Sequence, residues 1–212
     1  MNATSNVALI GGTGRAGKYV LNNLLAKNIP VKLLYRNADT LTISHPLLQV
    51  IKGNARDADS ILQLLQGCSA VISCLGQPAG EPPITDLTTG HILSAMQGIG
   101  IKRYIVLAGL NVDVSNDKKS LLNQRSTQWM EEHYPESCAA RRKEYQLLNQ
   151  SNADWSIVRI PMLIQTDELA EVTVSTTDCP GQQISSSSLA EFMADLLFSS
   201  QYIKQAPFIA NS

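Results

Sequence analysis

The stretch GGTGRAGKYV at 11–20 follows directly on the short apolar run NVALI at 6–10, and this junction restricts the chain more than any other feature. Gly11, Gly14 and Gly17 are spaced G-x-x-G-x-x-G, where the run should leave a sheet and a helix should begin. Each glycine has a mechanical task. Gly11 lets the strand turn sharply, Gly14 lets a ligand come close to the backbone, and Gly17 lets the helix pack tightly. The free N–H groups of the first helical turn then form an anion site at the positive end of the helix dipole. A strand, a glycine turn and a helix in that order predict a dinucleotide site.

The rest of the chain supports that context. Strand-like runs fall at 31–36, 47–53, 70–76, 103–109 and 154–160, and helical patterns at 15–27, 57–66, 84–97, 118–133, 136–150 and 187–199. Asp57 or Asp59 caps the second helix and Gly67 ends it, Pro135 breaks the fourth from the fifth, and the serine run at 185–188 starts the last. Residues 38–46 read as a loop. Segments 171–176 and 206–211 are further strand candidates. Six strands alternating with helices predict a three-layer α/β fold of Rossmann type, with a mainly parallel, doubly wound sheet and a small C-terminal extension. The expected organisation is one NAD(P)-binding domain over residues 1–212.

The end of the second strand speaks to the choice of cofactor. A carboxylate there suits the ribose hydroxyls of NAD, whereas arginine suits the 2′-phosphate of NADP. The chain has Tyr35-Arg36-Asn37, with no carboxylate before Asp39. Arg36 is therefore expected to hold that phosphate through charge-assisted bonds, with Arg15 of the glycine turn joining it. NADP(H) is the expected cofactor.

Composition removes several other classes. A formal net charge of −1 provides no global field for nucleic acid or an anionic membrane. The four cysteines, at 68, 74, 138 and 179, form no close pairs of the kind that bind zinc, and only three histidines could complete such a site. MNATSNVALIGG lacks the basic start and long apolar core of a secretory leader, and a cytoplasmic location is expected. No G-x-S-x-G elbow is present, which argues against an esterase.

The ordered set ALIGGTGRAGKYV, LLYRN, VIKGNARD, AVISCLG, IKRYIVLAG and LLNQSNADWSIVRIPML resembles the atypical short-chain dehydrogenase/reductases, in the NAD(P)H-binding, NmrA-like and biliverdin-reductase-B-like branch. The resemblance covers nearly the whole chain. It implies that Gly11, Gly12, Thr13, Gly14, Arg15, Ala16 and Gly17 hold the pyrophosphate, and that Asn54 and Ala55 line the adenine pocket. It further implies that Cys74, Leu75 and Gly76, with Leu107, Ala108 and Gly109, lie under the cofactor, and that Ile160, Pro161 and Met162 approach the nicotinamide. The family's late aspartate position holds Ser188 instead.

The catalytic apparatus of the wider family is missing. No tyrosine is followed four positions later by lysine: Tyr134 leads to Cys138 and Tyr145 to Asn149. The lysine position falls on Arg141, or on Lys143 with a small shift, and arginine does not exchange protons as lysine does. Ala108-Gly109 stands where many relatives carry a hydroxyl residue. His133, Tyr134 and Cys138 are candidate proton donors, each with ordinary packing as the blander alternative. Cys74 is a candidate redox-sensing thiol or a packing residue, and His91 reads as a partly buried structural histidine. The leading expectation is an NADPH-dependent oxidoreductase for a small planar or carbonyl-bearing acceptor, the cofactor supplying the difficult chemistry. The alternative is a non-catalytic NADP(H) sensor acting through a protein partner. A sugar-nucleotide epimerase ranks last, because only about fifty residues follow Pro161.

Overall fold

The computed structural model describes residues 6–36, 43–77 and 80–211. Asn37, Asp39 and the first part of the expected 38–46 loop lie outside the described residues. The elements alternate as the sequence predicts: β1 (Asn6–Ile10), α1 (Gly17–Ala26), β2 (Val31–Tyr35), β3 (Leu48–Lys52), α2 (Ala58–Leu65), β4 (Cys68–Ser73), α3 (Thr85–Ile99) and β5 (Arg103–Gly109). There follow α4 (Leu121–His133), α5 (Pro135–Gln150), β6 (Asp154–Ile160), β7 (Met162–Ile164), β8 (Val172–Ser175), β9 (Gln183–Ser185), α6 (Ser186–Asp195) and β10 (Phe208–Asn211).

Local chemistry sets several boundaries. The carboxylate of Asp57, rather than Asp59, caps α2 by accepting from the Ser60 N–H at 2.9 Å, and Gly67 takes φ +71° beyond its end. Pro135 occupies the first turn of α5, where its missing N–H costs nothing. Ser185 caps α6 by accepting from the Ser188 N–H at 3.0 Å. Ser188 is buried and its hydroxyl donates to the Ala170 carbonyl, so the departure from the family's aspartate pins a loop.

Eight strands form one sheet in the order β3-β2-β1-β4-β5-β6-β10-β8. All pairings are parallel except that of β10 with β8. Alternate side chains of β1 enter opposite cores. Val7 and Leu9 join Val20, Leu21 and Leu24 of α1 and Leu189 and Met193 of α6. Ala8 and Ile10 join Ile61, Leu64 and Leu65 of α2, Ile92 and Met96 of α3, and Leu148 of α5. Two helical layers therefore enclose the sheet. The C-terminal segment extends the sheet through β10 and β8, and β7 and β9 make a separate two-stranded parallel ribbon that the sequence pattern did not reveal.

The direction of winding reverses at β1, which pairs with β2 on one side and β4 on the other. In such sheets a crevice opens beyond the carboxyl ends of the strands at this point.

Candidate cofactor and acceptor site

A cavity of about 1270 Å³ occupies that crevice. Its floor comprises Gly11, Thr13, Gly14, Arg15 and Ala16 after β1, Cys74, Leu75 and Gly76 after β4, Leu107, Ala108 and Gly109 at the end of β5, and Ile160, Pro161 and Met162 after β6. Arg36, Asn54 and Ala55 line one end. Of the residues expected to bind the cofactor, Gly12 and Gly17 alone do not line the cavity, and each has a packing reason. A Cβ on Gly12 would lie 2.5 Å from the Leu33 side chain, and one on Gly17 would lie 2.0 Å from the Gly11 carbonyl oxygen. These two let α1 seat against the turn and the sheet. Gly11 itself has φ +74°, and a side chain there would strike the Cys74 carbonyl at 2.8 Å.

The turn is built for an anion. Ala16 at the N-cap of α1 supplies no side-chain acceptor, and the first turn holds no acidic residue. The Lys18 and Tyr19 amides are taken by the Gly14 and Ala16 carbonyls, so the amides of Arg15, Ala16 and Gly17, with the positive end of the dipole, are the donors left for an anion beside the turn. Gly76, facing them, has nothing within 4 Å of where its Cβ would stand. A pyrophosphate-bearing ligand fits this open cradle.

At the Arg36 end the structure adds two residues that the sequence reading missed. Glu81 accepts from Arg36 at 2.8 Å and from Arg56 at 3.3 Å, and Arg56 also donates to the Pro82 carbonyl at 2.7 Å. The Arg36 bond, followed by that from Arg56, holds the Glu81 carboxyl below its ordinary range. Asn54 accepts from the Arg56 N–H through Oδ1 at 3.0 Å, leaving its amide N–H2 toward the pocket chemistry expected of it. Arg15 stands exposed on the same rim.

The other end is roofed by α4, whose Leu122, Arg125, Ser126, Trp129 and Met130 line the cavity with Met162, Leu163, Gly181 and Gln182. The α4 residues recur at i, i+3, i+4, i+7 and i+8, one helical face. That stripe is the signal that could have found them. It is not core: Leu122 is 55% and Trp129 49% exposed, and Asn123 is the buried residue of the helix. Asn123 anchors α4 by donating to Asp178 at 2.7 Å and to the Cys179 carbonyl at 3.1 Å.

The candidate proton donors fare poorly. His133 and Tyr134 pack on the Trp129 ring, at centroid distances of 4.4 and 5.8 Å, and do not line the cavity. Cys138 is buried, receives the Asn111 amide N–H at 3.2 Å, and has its thiol pKa raised by burial. Cys74 lines the cavity, but burial pushes its thiol up to about 12, against a smaller opposing effect of Arg141. The lowered pKa that a redox-sensing thiol needs is thus not met at Cys74, which packs against the core at the end of β4. Arg141 lies on the cavity wall, donating to the Leu75 carbonyl at 2.6 Å and to Glu144 at 2.5 Å. Glu144 is in turn bonded by the Thr89 hydroxyl at 2.8 Å, so the guanidinium is held rigidly. Lys143, the other candidate for the lysine position, does not line the cavity and faces Asp86 at 3.9 Å. His91 is half-buried on α3 with Nδ1 unpartnered, away from the cavity, in keeping with a structural part. A hydroxyl side chain at position 109 would be crowded, since a Cβ there lies 3.0 Å from Asn111 Oδ1.

The family model described as NAD(P)H-binding matches residues 11–200. The chain belongs to this NAD(P)H-binding family. Curated protein sequences yield no match. Among solved structures, an anaerobillin reductase, ChuY, from Escherichia coli superposes with TM-score 0.81 at 18% identity, covering 98% of this chain and 97% of that one. A wide-type short-chain dehydrogenase/reductase from Veillonella parvula, in complex with NADP, gives TM-score 0.80 at 15% identity, covering 98% and 94%. The oxidoreductase ylbE from Lactococcus lactis gives 0.77 at 14% identity, covering 98% and 91%. At such identities the likeness shows the Rossmann-type α/β fold. Among the described residues no helix is long and apolar enough to cross a membrane, and no cluster of potential metal ligands occurs.

Proposed function

We propose that the protein is an NADPH-dependent oxidoreductase for a small planar acceptor, and that residues 1–212 act as one cofactor-binding domain. The observation that carries this reading is the pairing of two features in one cavity. An uncapped helix N-terminus with Arg36 beyond it lies at one end, and the apolar side chains Leu122, Trp129 and Met130 of α4, with Arg125 and Ser126 between them, lie at the other. The NADP complex and the anaerobillin reductase among its structural neighbours support the same reading.

When bound, NADPH would supply the hydride. The turn at 11–16 would hold its pyrophosphate, Arg36 its 2′-phosphate, and Asn54 and Ala55 its adenine. Cys74 to Gly76 and Leu107 to Gly109 form the floor, and Ile160 to Met162 shape the nicotinamide end. Trp129, Leu122, Met130 and Met162 offer the flat, apolar walls that suit an aromatic acceptor. Among the described residues no histidine lines the cavity, and the one carboxylate that does, Glu81, belongs to the Arg36 end. An acceptor ring that spreads the added electrons can draw its proton from water, which reaches this open end. The cysteines are free thiols, and a reducing compartment such as the cytoplasm suits them.

Stopped-flow oxidation of NADPH with quinones, flavins and aldehydes tests the proposal. Planar acceptors should turn over faster than aliphatic aldehydes, and Trp129→Ala should raise KM for them about tenfold while changing the NADPH dissociation constant less than twofold, one aromatic contact being worth about 0.5–1.5 kcal/mol beyond burial. Absence of turnover with every acceptor would contradict the reading. Unequal affinities for NADP+ and NADPH would then favour a sensor, because equal affinity shifts no equilibrium.

A further inference from the structure

The cation pair that faces the expected 2′-phosphate already holds an anion of the chain's own. Arg36 Nη1 lies 2.8 Å and Arg56 Nη2 3.3 Å from the two oxygens of Glu81. The three side chains come from three connections: the end of β2, the turn before α2, and the segment between β4 and α3. All three line the cavity. Glu81 is thus brought to the place where an NAD site would carry an acidic residue at its second strand, although it lies 45 positions from Arg36 in sequence.

We infer that Glu81 is a selectivity residue, an internal carboxylate that competes with the cofactor 2′-phosphate for Arg36 and Arg56 and so narrows the preference for NADP(H) over NAD(H). The inference rests on the proposed cofactor site. A carboxylate carries one negative charge and a phosphate monoester roughly 1.5 to 2 at neutral pH, so the phosphate displaces Glu81 once the rest of the cofactor is anchored. An NADH-type ribose has no such charge, and Glu81 keeps both arginines neutralised while its lone pairs can accept from the ribose hydroxyls. The competition costs affinity for the phosphorylated cofactor alone. Since the Arg36 and Glu81 side chains are 54% and 36% exposed, the effect is modest in scale.

The test is isothermal titration of wild type, Glu81→Gln and Arg36→Ala with 2′,5′-ADP and with 5′-AMP, which differ by the phosphate in question. Glu81→Gln should bind 2′,5′-ADP about threefold to tenfold tighter than wild type and 5′-AMP within twofold of it. Equal or weaker binding of 2′,5′-ADP by Glu81→Gln, with Arg36→Ala still weakening it, would overturn the competition and leave the NADP site standing. Wild type and Arg36→Ala binding both nucleotides alike would overturn the site and the inference together. Matched unfolding midpoints for the three proteins confirm that the comparison is between folded chains.

Discussion

A methyl group on Gly17 would stand 2.0 Å from the Gly11 carbonyl oxygen and 2.7 Å from the Gly12 Cα, both backbone atoms that cannot swing away. On Gly14 the nearest atom would be 3.3 Å off, and the residue is exposed to the cavity. The two glycines of one motif therefore have separable tasks. Gly17→Ala should cost about 1–3 kcal/mol of stability through overpacking, lowering the melting midpoint by roughly 2–12 °C. Gly14→Ala should leave the midpoint within about 2 °C yet weaken cofactor binding about tenfold, since it crowds the ligand's backbone donors. Melting curves and titrations on both variants check this; the opposite assignment of effects would refute it. The glycine turn and the place of Arg36 on the cavity were legible because both follow from neighbours along the chain. Glu81 was not, because it acquires a role only when a distant connection folds back to Arg36 and Arg56.

Elements with a long apolar period or a local cap were equally legible: α2 with Asp57, α6 with Ser185, and β5, buried from Arg103 to Ala108. The three-residue strands β7 and β9 are too short for any period to show. In β6, Arg159 puts a charge inside a core strand. It is wholly buried, paired with Asp117 at 2.6 Å and donating to the Ala206 and Val112 carbonyls, partners that only the fold brings together. Helix α4 carries a different message, its Leu122, Trp129 and Met130 side chains serving the cavity rather than the core.

The packing of α1 on α6 makes a pH prediction. Glu191 accepts from Lys27 and from Asn23, each at 2.7 Å, and these bonds hold its pKa below the ordinary glutamate value, while the same Lys27–Glu191 bond raises the lysine. A depressed carboxylate contributes stability above its unfolded pKa, about 4.3, and loses it as pH falls through the folded value. A raised lysine contributes below about 10.4 and loses it as pH rises through the folded value. The pair is therefore fully effective between those limits. With Glu191 41% exposed, its worth at neutral pH is under about 1 kcal/mol. Denaturant unfolding of Glu191→Gln should show that small deficit near pH 7, shrinking to nothing well below pH 4 (approximate bounds from the reference values). A deficit that persists unchanged in acid would rule out the ion pair as its source.

At the scale of the molecule, the strand order β3-β2-β1-β4-β5-β6 places every long loop of the site at one edge of the sheet. The alternating pattern of strands and helices made that architecture readable, since right-handed parallel crossovers leave few other arrangements. The far wall of the cavity remained unreadable because it comes from α4, β7 and the turn at Gly181, which converge in space without any shared motif. Catalysis depends on the acceptor, but the cofactor claim comes first, and it can be tested without knowing any substrate. Thermal unfolding should be followed without ligand and with NADPH, NADP+, NADH and NAD+, for wild type and for Arg36→Ala. A ligand at a hundred times its dissociation constant stabilises the folded state by about 2.7 kcal/mol, which for a chain of this size raises the midpoint by roughly 5–11 °C. The expected result is a rise of that order with the phosphorylated cofactors, reduced in Arg36→Ala. No rise with any of the four at saturating concentrations would contradict the account, leaving the glycine turn a structural device alone.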